Sequence, residues 1–548
     1  MDVLLSLRSR SRIASAVLLA AMAAVLSVPV RLIAQNAVDD GDATVAAADG
    51  DGGAAANAAV HAPPSTRRAP ARRRARAARR PAAFHYDAPR SAAGLAGDLG
   101  MLLFSRVRSG QWGAMVVSLT RGDTLYAFNA GAALRPASNM KLFTAALALD
   151  EFGPRHQFST DVLRDGPFDG QGTLHGNLIL RGGGAPGLSE RYLPGGPSAP
   201  MDLLAQLVVG QGIRHVTGDL IADATAFDTA RVPRGWKHRY LHASYAARVS
   251  ALSLDGNLVW VVVHPGSGSS QPAAVSLDPA TDVPVRASVR TLRRRGSHVI
   301  TYTEPDGAIV VRGWIGWHTA PRRYHVVVEH PAVFAAGALR EALAAQGVTV
   351  EGRIRLGVTP ASAVPVASLP SPPLARLISA MNRESINHFA ELLFRDAGRR
   401  ASPTHVGSVE SGATLLERFM AQKVGAAPGT VYTTDGCGLS VLDHVTPRSL
   451  VQLLSYANRA PWSDAFHASL PVAGESELLR DRMRRTPAQG NLHAKTGTTS
   501  TVISLGGYVT ARDGELLTFA FLYNGHDRWR AKETIDEMGA TLANFMRN

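Results

Sequence analysis

Hydrophobic and polar positions follow two patterns along the chain, helical spacing and strand-like alternation, and these patterns predict its helices and strands. Near one end, apolar residues with helical spacing predict a helix over Leu95–Val107. Two strand-like runs follow, WGAMVVSL and TLYAFNA, joined by turn residues at 121–123. Near the other end, HAKTGTTSTVISLGGYVTA and ELLTFAFLYNG are typical of strands on either side of the turn Asp513-Gly514. The spacing over Ala531–Met546 predicts a closing amphipathic helix.

The middle of the chain is richer in Val, Ile and Gly. Its short apolar runs, separated by turn residues, predict strands: LHGNLILRGGG, VTGDLIAD, NLVWVVVHPG, AIVVRGWIGW and RRYHVVVEH. We therefore predict a discontinuous α/β (α+β) domain built from residues 93–164 and 366–548. Residues 165–365 are predicted to be a β-rich insertion of two small domains.

The first residues have the pattern of an export signal. Arg8, Arg10 and Arg12 precede an apolar run over Ile13–Val30, as in a secretory signal peptide. The run is also long enough for an uncleaved anchor. Residues 1–36 are therefore predicted to be a signal peptide or anchor, and the protein is expected in the periplasm or cell envelope. Residues 37–92 are rich in Ala, Asp and Arg and contain few apolar side chains that a core could bury. They are therefore predicted to form a disordered tether.

The distribution of charge and the number of cysteines bear on nucleic-acid binding and on disulfide bonding. The 548 residues carry a formal net charge of +14, and eight arginines are concentrated in the segment Arg67–Arg80. That segment has no interleaved aromatic residues and no nucleic-acid-binding motif beside it, so nucleic acid is not expected as a partner. A membrane surface or the cell wall is the expected contact of this segment, with a solvated linker as the alternative. The one cysteine, Cys437, permits no intrachain disulfide and is interpreted as a packing or loop residue.

A serine and a lysine three residues apart open an apolar run, RPASNMKLFTAALAL. Pro136 suits a first helical turn, so Ser138 and Lys141 would share one helix face. A neutral lysine can take the proton of a serine nucleophile. Free lysine has a pKa of about 10.4, and lowering it by ~3 units costs about 4 kcal/mol of desolvation and like-charge repulsion. A second lysine nearby would supply the repulsion. A helix cap and a surface charge would give the same spacing.

Two further groups carry candidate chemistry. In MNRESINHFAELLF, Ser385 and Asn387 lie at a predicted loop–helix junction, where helix capping is the structural alternative. A lysine and two hydroxyls around a glycine, at a predicted sheet edge, suit capture of a carboxylate. These residues are Lys495, Thr496, Gly497 and Thr498. A gatekeeping lysine on an ordinary edge strand is the alternative for this group.

The three groups occur in the order S-x-x-K, S-x-N and K-T-G, close to the set found in penicillin-binding proteins and β-lactamases. The gaps are 247 residues from Ser138 to Ser385 and 110 from Ser385 to Lys495. With its long first gap, the sequence resembles the class C low-molecular-mass penicillin-binding proteins, which are D-alanyl-D-alanine carboxypeptidase/endopeptidases. The resemblance covers 93–548 and includes SALSLDGN, DGCGLS and SLPVAG.

This resemblance implies a penicillin-binding/β-lactamase-like transpeptidase fold, with a five-stranded antiparallel sheet flanked by helices. It implies a serine-type carboxypeptidase that cleaves the terminal D-Ala-D-Ala bond of peptidoglycan stem peptides through an acyl-enzyme, with D-Ala cross-links as a second substrate. β-Lactams would be covalent inhibitors, and no metal or organic cofactor is implied.

The family roles carry over to residues that match its motifs. Ser138 would be the acylated nucleophile and Lys141 its general base. Ser385 would relay a proton to the leaving amine, Asn387 would hold the substrate amide, and Lys495 would tune the field. The substrate-binding residues would be Thr496, Gly497 and Thr498, the last of which would bind the terminal carboxylate. The backbone N–H groups of Ser138 and Thr498 would form the oxyanion hole.

Several positions depart from the family pattern, and two other functions share the motifs. Ile386 stands between Ser385 and Asn387, Cys437 stands in DGCGLS, and Ala185 follows the GGG at 182–184, so the detailed specificity is open. An esterase or β-lactamase with the same motifs is the enzymatic alternative. A catalytically degenerate wall-binding scaffold is the other. His238 and His242 have helical spacing but lack the further ligands that a zinc site needs.

Overall fold

The computed structural model describes residues 86–107 and 109–547 of the chain, and these belong to one compact unit. The predicted signal peptide or anchor (1–36), most of the predicted tether and the basic segment Arg67–Arg80 lie outside the described residues. Within them, no helix has both the length and the apolar character needed to cross a bilayer.

Ten α-helices occur in the described ranges: α1 (Ala92–Ser105), α2 (Met140–Phe152), α3 (Ala199–Gly210), α4 (Pro331–Ala345), α5 (Leu374–Glu384), α6 (Asn387–Ala401), α7 (Val409–Phe419), α8 (Pro447–Ala457), α9 (Ser463–Ala468) and α10 (Arg528–Asn544). Single turns of 3-10 helix lie at Ala137–Asn139, His238–Tyr240, Ser244–Ala246, Asp255–Asn257 and Glu477–Leu479, and a π-helical turn at Met420–Val424 extends α7.

The described strands are β1 (Gln111–Ser118), β2 (Thr124–Phe128), β3 (Ser159–Asp165), β4 (Thr173–Leu174), β5 (Asn177–Gly182), β6 (His215–Val216), β7 (Leu220–Asp223), β8 (Leu258–His264), β9 (Ala274–Asp278), β10 (Val285–Leu292), β11 (Ser297–Thr303), β12 (Ile309–Gly316), β13 (Arg322–Val327), β14 (Thr349–Val350), β15 (Ile354–Leu356), β16 (Val364–Pro370), β17 (Val431–Tyr432), β18 (His444–Val445), β19 (His493–Thr498), β20 (Val502–Thr510) and β21 (Leu516–Asn524).

The central sheet joins strands from both ends of the described chain in the order β19-β20-β21-β1-β2. All four of its pairings are antiparallel, which confirms the predicted fold class. Side chains on a strand alternate between the two faces. In β21, Phe519, Phe521 and Tyr523 therefore enter one hydrophobic cluster, whereas Ala520 and Leu522 enter the cluster on the opposite face.

Helices cover both faces of this sheet, and α2 is buried most completely. Helices α1 and α10 pack on one face, and α8 packs on the other. Every residue of α2 from Met140 to Leu149 is buried, as expected of a helix that is apolar on all sides. Lys141 is the one ionisable residue in that run, so the sequence places an amine inside the protein.

The region between the two halves of the central sheet contains four further sheets, with orders β15-β7-β5-β3-β16, β14-β6-β4, β13-β8-β9 and β10-β12-β11. Helices α3 and α4 pack together here, and buried residues from these elements form one continuous cluster. Strand β3 pairs with β16 in the sheet β15-β7-β5-β3-β16. A domain boundary placed before β3, which begins at Ser159, would keep all five strands of that sheet in one region. The predicted boundary at 164/165 falls at the end of this strand, and the division into two small domains stays a prediction.

The last residues of the predicted tether are ordered. The Asp87 N–H donates to Thr541 Oγ1 (3.3 Å), and Asn544 Nδ2 donates to the Asp87 carbonyl (2.9 Å). The Met546 N–H donates to the Pro89 carbonyl, and α1 begins at Ala92, capped by Ser91. The tether predicted to reach residue 92 therefore extends too far. Its last residues are ordered because they bind the distant C-terminal helix, a contact that their composition does not indicate.

Shortening a side chain in the all-buried helix tests how much this packing contributes to stability. Leu147 is 1% exposed, so Leu147→Ala is expected to lower the free energy of unfolding by about 2–5 kcal/mol, measured by urea denaturation. Leu356 is 64% exposed, and the matched change Leu356→Ala is expected to stay within about 0.5 kcal/mol of the parent. Equal effects of the two changes would contradict the assignment of α2 to the core.

Candidate active site

Ser138 lies in the 3-10 turn Ala137–Asn139, directly before α2. The prediction put Ser138 in the first turn of the helix itself, whereas the observed helix begins two residues after it, at Met140. Asn139 Nδ2 donates to Ser504 Oγ (2.6 Å), and Ser504 Oγ donates to the Pro136 carbonyl (2.7 Å). The turn is therefore fixed to β20, and its strained residue Ala137 (φ +47°) is held in place by these bonds.

Lys141 joins three parts of the chain. Its Nζ donates to Ser138 Oγ (3.0 Å), to Asn387 Oδ1 (2.6 Å) and to the Cys437 carbonyl (2.9 Å). The side chain is fully buried. These contacts bring the base candidate within hydrogen-bond distance of the nucleophile candidate, as the three-residue spacing predicts; in the protonated state of Lys141 they use all three of its N–H donors.

Ser385 and Asn387 lie at the junction of α5 and α6. Ser385 adopts a left-handed conformation (φ +60°) that ends α5, and α6 begins at Asn387 without a side-chain cap from Ile386. Ser385 Oγ accepts from Lys495 Nζ (2.9 Å) instead of capping the helix. Asn387 Nδ2 donates to the Tyr245 carbonyl (2.8 Å), which connects the site to the inserted region.

Strand β19 is an edge strand, as predicted, and carries the K-T-G group. Lys495 Nζ donates to Ser385 Oγ and to the Thr496 carbonyl (3.0 Å), whereas Thr498 is exposed. A Cβ on Gly497 would lie 2.2 Å from Ser504 Oγ and 2.7 Å from the Pro136 carbonyl oxygen. The glycine therefore lets this strand approach the Ser138 turn, a role that the sequence analysis did not foresee.

The Asp435 carboxylate holds the loop whose Cys437 carbonyl accepts a hydrogen bond from Lys141. Asp435 Oδ1 accepts from the N–H groups of Cys437 (3.0 Å) and Gly438 (2.6 Å). Its Oδ2 accepts from the Ser440 N–H (2.7 Å) and from Trp236 Nε1 (2.8 Å). The Cys437 carbonyl is thereby held toward Lys141. Cys437 is a buried loop residue, as interpreted from the sequence, and burial raises the pKa of its thiol well above the usual range.

Burial dominates the electrostatics of the site. It lowers the pKa of Lys141, against the opposing charges of Asp435 and Glu391. Burial, together with the charge of Lys141, lowers the pKa of Lys495 well below its ordinary value. Burial and Asp435 also raise the pKa of Glu391 to about 8. Glu391 is therefore mostly uncharged at neutral pH, which limits the negative charge that holds a proton on Lys141.

Three buried side chains of the described residues are of types that ligate metals. Ligand atoms of Glu391, Asp435 and Cys437 lie within 4.8 Å of one another. The oxygens of Asp435 already accept from backbone and indole N–H groups, and the Glu391 Oε1 accepts from the Gly436 N–H (2.8 Å). The protein itself thus uses these carboxylates to hold the loop. His238 is exposed in a 3-10 turn.

The structure brings the predicted catalytic residues into two hydrogen-bonded groups, one around Lys141 and one around Lys495. Sequence reasoning did not find the supporting residues Asn139, Asp435 and Tyr245. Asp435 had a local signal, since an acidic residue before Gly-Cys-Gly is typical of a tight loop. Tyr245 had none, because its carbonyl contributes through the backbone.

Residues 101–545 match the D-Ala-D-Ala carboxypeptidase 3 (S13) family. The chain belongs to that family. The D-alanyl-D-alanine carboxypeptidase of an Actinomadura species is 34% identical over 450 residues, which cover 79% of this chain and 81% of that protein. The D-alanyl-D-alanine carboxypeptidase DacB of Haemophilus influenzae is 26% identical over 80% of this chain and 89% of its own length.

A solved structure supports the fold of this family member. Penicillin binding protein 4 (dacB) of Haemophilus influenzae superposes with a TM-score of 0.69 at 22% identity, over 80% of this chain and 98% of that one. The same protein in complex with a β-lactam gives a TM-score of 0.65. The predicted family and the five-stranded fold are thus confirmed.

Gly438 provides a test of the contact between the Asp435 loop and the Ser138 turn. It has a φ of +82°, and a Cβ there would lie 1.8 Å from the Ala137 carbonyl oxygen. Gly438→Ala is therefore expected to displace the turn, to lower the thermal midpoint and to slow acylation by fluorescent penicillin at least about tenfold. The slowing follows because the Ser138–Lys141 contact depends on that turn.

Gly429 is the matched control. Its φ is +76°, but no atom lies within 4 Å of a Cβ built there. Gly429→Ala therefore carries only the left-handed backbone penalty of about 1–2 kcal/mol and should acylate at the parental rate. Equal slowing by both changes would mean that backbone strain, not the clash, is responsible.

Proposed function

We propose that this member of the family is an exported serine DD-peptidase that cleaves the terminal D-Ala-D-Ala bond of peptidoglycan stem peptides. The observation that carries the proposal is the 3.0 Å contact between Ser138 Oγ and Lys141 Nζ, made by a buried lysine with a lowered pKa. A lysine that loses its proton easily can activate a serine hydroxyl. The names of the Actinomadura and Haemophilus relatives support the same reaction.

In the proposed acylation step, Ser138 Oγ bonds to the carbonyl carbon of the penultimate D-Ala, and its proton passes to Lys141. The N–H groups of Ser138 and Thr498 stabilise the oxyanion of the tetrahedral intermediate. The C–N bond then breaks, and the proton taken up by Lys141 passes through Ser385 to the leaving amine. Lys495 Nζ donates a hydrogen bond to Ser385 Oγ (2.9 Å) and tunes the field around this relay.

Substrate is held on both sides of the reacting bond in this proposal. Asn387 binds the substrate amide, and Thr496, Gly497 and Thr498 bind the end of the peptide, with the exposed Thr498 hydroxyl on the terminal carboxylate. Water then adds to the acyl carbon while its proton passes to Lys141, the ester bond to Ser138 breaks as that proton is returned to Ser138 Oγ, and the shortened peptide leaves. A β-lactam forms the same bond to Ser138.

The location and wall contacts are proposals of the same kind. The names of two relatives identify them as D-alanyl-D-alanine carboxypeptidases. The N-terminal pattern agrees with export to the periplasm or cell envelope. The basic segment Arg67–Arg80 is proposed to contact a membrane surface or the wall.

Covalent labelling tests the proposal directly. The purified protein is incubated with fluorescent penicillin, and release of D-Ala from an N-acetylated tripeptide is measured in parallel. A stable band that disappears in Ser138→Ala, with loss of D-Ala release, is expected. Ser455→Ala is the matched control, since among the described residues that hydroxyl donates within its own helix, to the Val451 carbonyl of α8, and it should label like the parent.

The labelling experiment also separates the two alternatives. Rapid release of hydrolysed penicillin without D-Ala release would identify a β-lactamase. Absence of labelling, of penicillin hydrolysis and of D-Ala release would contradict the enzyme proposal and leave the wall-binding scaffold.

The pH dependence of acylation tests the electrostatics. The rate is expected to rise with pH as Lys141 loses its proton, below the ordinary lysine range because its pKa is lowered. Above about pH 8, Glu391 ionises, and its negative charge favours protonated Lys141, so the rise should flatten. Glu391→Gln should keep rising above pH 8, measured by stopped-flow acylation with penicillin. The exposed Glu417→Gln is the control, and an unchanged profile in Glu391→Gln would contradict the coupling.

A further inference from the structure

The three-stranded sheet β10-β12-β11 of the inserted region has one face in the core. Val289 of β10 and Ile309, Val311 and Ile315 of β12 belong to the buried cluster of that region. Side chains on a strand alternate between the two faces of its sheet. The residues between these positions therefore point away from the core and form the second face of the sheet.

Strand register arranges the side chains of this second face in rows. Strand β12 is the central strand and pairs with β10 on one side and with β11 on the other. Directly paired residues of neighbouring strands lie on the same face. Two rows, which together form what we call the arginine face, cross the sheet in this way: Arg290, Trp314 and His298 in the first, and Ser288, Arg312 and Ile300 in the second.

The arginine face is open to solvent and combines charge with apolar surface. Five of its six side chains are exposed, and Trp314 is half-buried. Ile300 is 53% exposed, although isoleucine is among the residues that are most often buried. The guanidinium of Arg294 lies 4.1 Å from the Trp314 ring centroid, so one side of that ring is already covered.

Three further arginines lie at the end of the sheet next to the first row. Arg293, Arg294 and Arg295 directly follow β10, in the turn that leads to β11. At the base of this turn, the Gly316 N–H donates to the Gly296 carbonyl (2.8 Å). The turn is therefore fixed against the end of β12, and its three cations extend the charge of the arginine face.

The protein itself supplies little negative charge near these arginines. The stretch 283–328 contains no Asp or Glu except Glu304 and Asp306, and both of these pair with Arg286. Among the described residues, no ion pair with a carboxylate engages the two arginines of the arginine face or the three of the turn. This surface is therefore complementary to an anionic partner.

The chemistry of the arginine face fits a bilayer surface that contains anionic lipid. A guanidinium binds the phosphate of a lipid headgroup through paired hydrogen bonds. An exposed isoleucine finds apolar surroundings between the headgroups, and tryptophan is enriched at membrane interfaces. A single-stranded nucleic acid needs free aromatic rings on which its bases stack, whereas Arg294 already covers the ring of Trp314.

We propose that the arginine face docks on a membrane surface that carries anionic phospholipid, with Arg290 and Arg312 on lipid phosphates and Ile300 between the headgroups. This contact belongs to the folded insertion and is separate from the contact proposed for Arg67–Arg80. It does not depend on the DD-peptidase function.

Docking through this sheet fixes the orientation of the active site relative to the membrane. Tyr302 of β11 packs on His242, with ring centroids 6.5 Å apart. Three residues after His242, the Tyr245 carbonyl accepts from Asn387, the residue proposed to hold the substrate amide. The arginine face is therefore connected to the site by packed elements of one compact unit.

A fluorophore on the arginine face tests the docking directly. Cys437 is buried, so the cysteine introduced by Ile300→Cys can be labelled selectively with the polarity-sensitive dye NBD in the full chain. The emission is expected to rise at least about twofold with vesicles of phosphatidylcholine and phosphatidylglycerol in equal parts, because the dye enters the headgroup region. It should stay unchanged with phosphatidylcholine alone. Leu356→Cys, at a position 64% exposed on β15, is the matched control and should not respond.

Charge variants assign the contact to the arginines. Arg290→Gln combined with Arg312→Gln should raise the lipid concentration for a half-maximal response at least about tenfold, since each arginine near an anionic surface strengthens binding. Added salt should weaken the parental response. Arg418→Gln combined with Arg459→Gln removes two exposed cations elsewhere and should respond like the parent. The thermal midpoint of each variant is compared with that of the parent, so that a misfolded protein is recognised.

Three outcomes would overturn the inference. One is the absence of a response at position 300 to either kind of vesicle. Another is an equal response in the parent and in the variant that lacks both arginines, because the contact would then not use these cations. The third is a response to single-stranded DNA without a response to vesicles, which would make the arginine face a binding surface for a soluble polyanion.

Discussion

The burial of two lysine side chains in one site is the constraint on which the rest of the site depends. Lys141 and Lys495 are both fully removed from solvent, and an unpaired buried charge is costly. The structure meets this cost with hydrogen-bond acceptors drawn from distant parts of the chain. Lys141 alone binds groups at residues 138, 387 and 437. Burial of the two amines costs folding free energy, and the same burial lowers the pKa values of Lys141 and Lys495. A lysine that acts as a base needs such a lowered pKa.

Close approach of backbone segments is the second requirement. The Ser138 turn is pressed against β19 through Gly497 and against the Asp435 loop through Gly438. Neither position has room for a Cβ, so small residues here serve geometry rather than flexibility. The Asp435 carboxylate accepts hydrogen bonds from three backbone N–H groups of its loop and from the Trp236 indole, and these bonds fix the loop. The geometry around the lysines is therefore set by the protein before any substrate binds.

Local patterns in the sequence predicted the hairpins of the central sheet, the apolar helix α2 and the three motif groups. They succeed because strand alternation, turn residues and short spacings are local properties. Helices α3 and α4 were not foreseen within a region dominated by strand-like runs. The ordered end of the tether was missed since it depends on Thr541 and Asn544, more than 450 residues away. Asn139 and Tyr245 were missed for the same reason: their roles arise only from tertiary contacts.

The central sheet pairs β1 with β21, although Leu516 lies 398 positions after Ser118 in a chain of 548 residues. Contacts between distant segments form slowly, because a long loop must close before they can be made. The strand that carries Lys495 and the hairpin β20–β21, which anchors the Ser138 turn through Ser504, are synthesised long after that turn. A growing chain that has not reached them contains Ser138 and Lys141 without the sheet that fixes their positions. The order of residues along the chain therefore delays assembly of the site until both halves of the sheet are present.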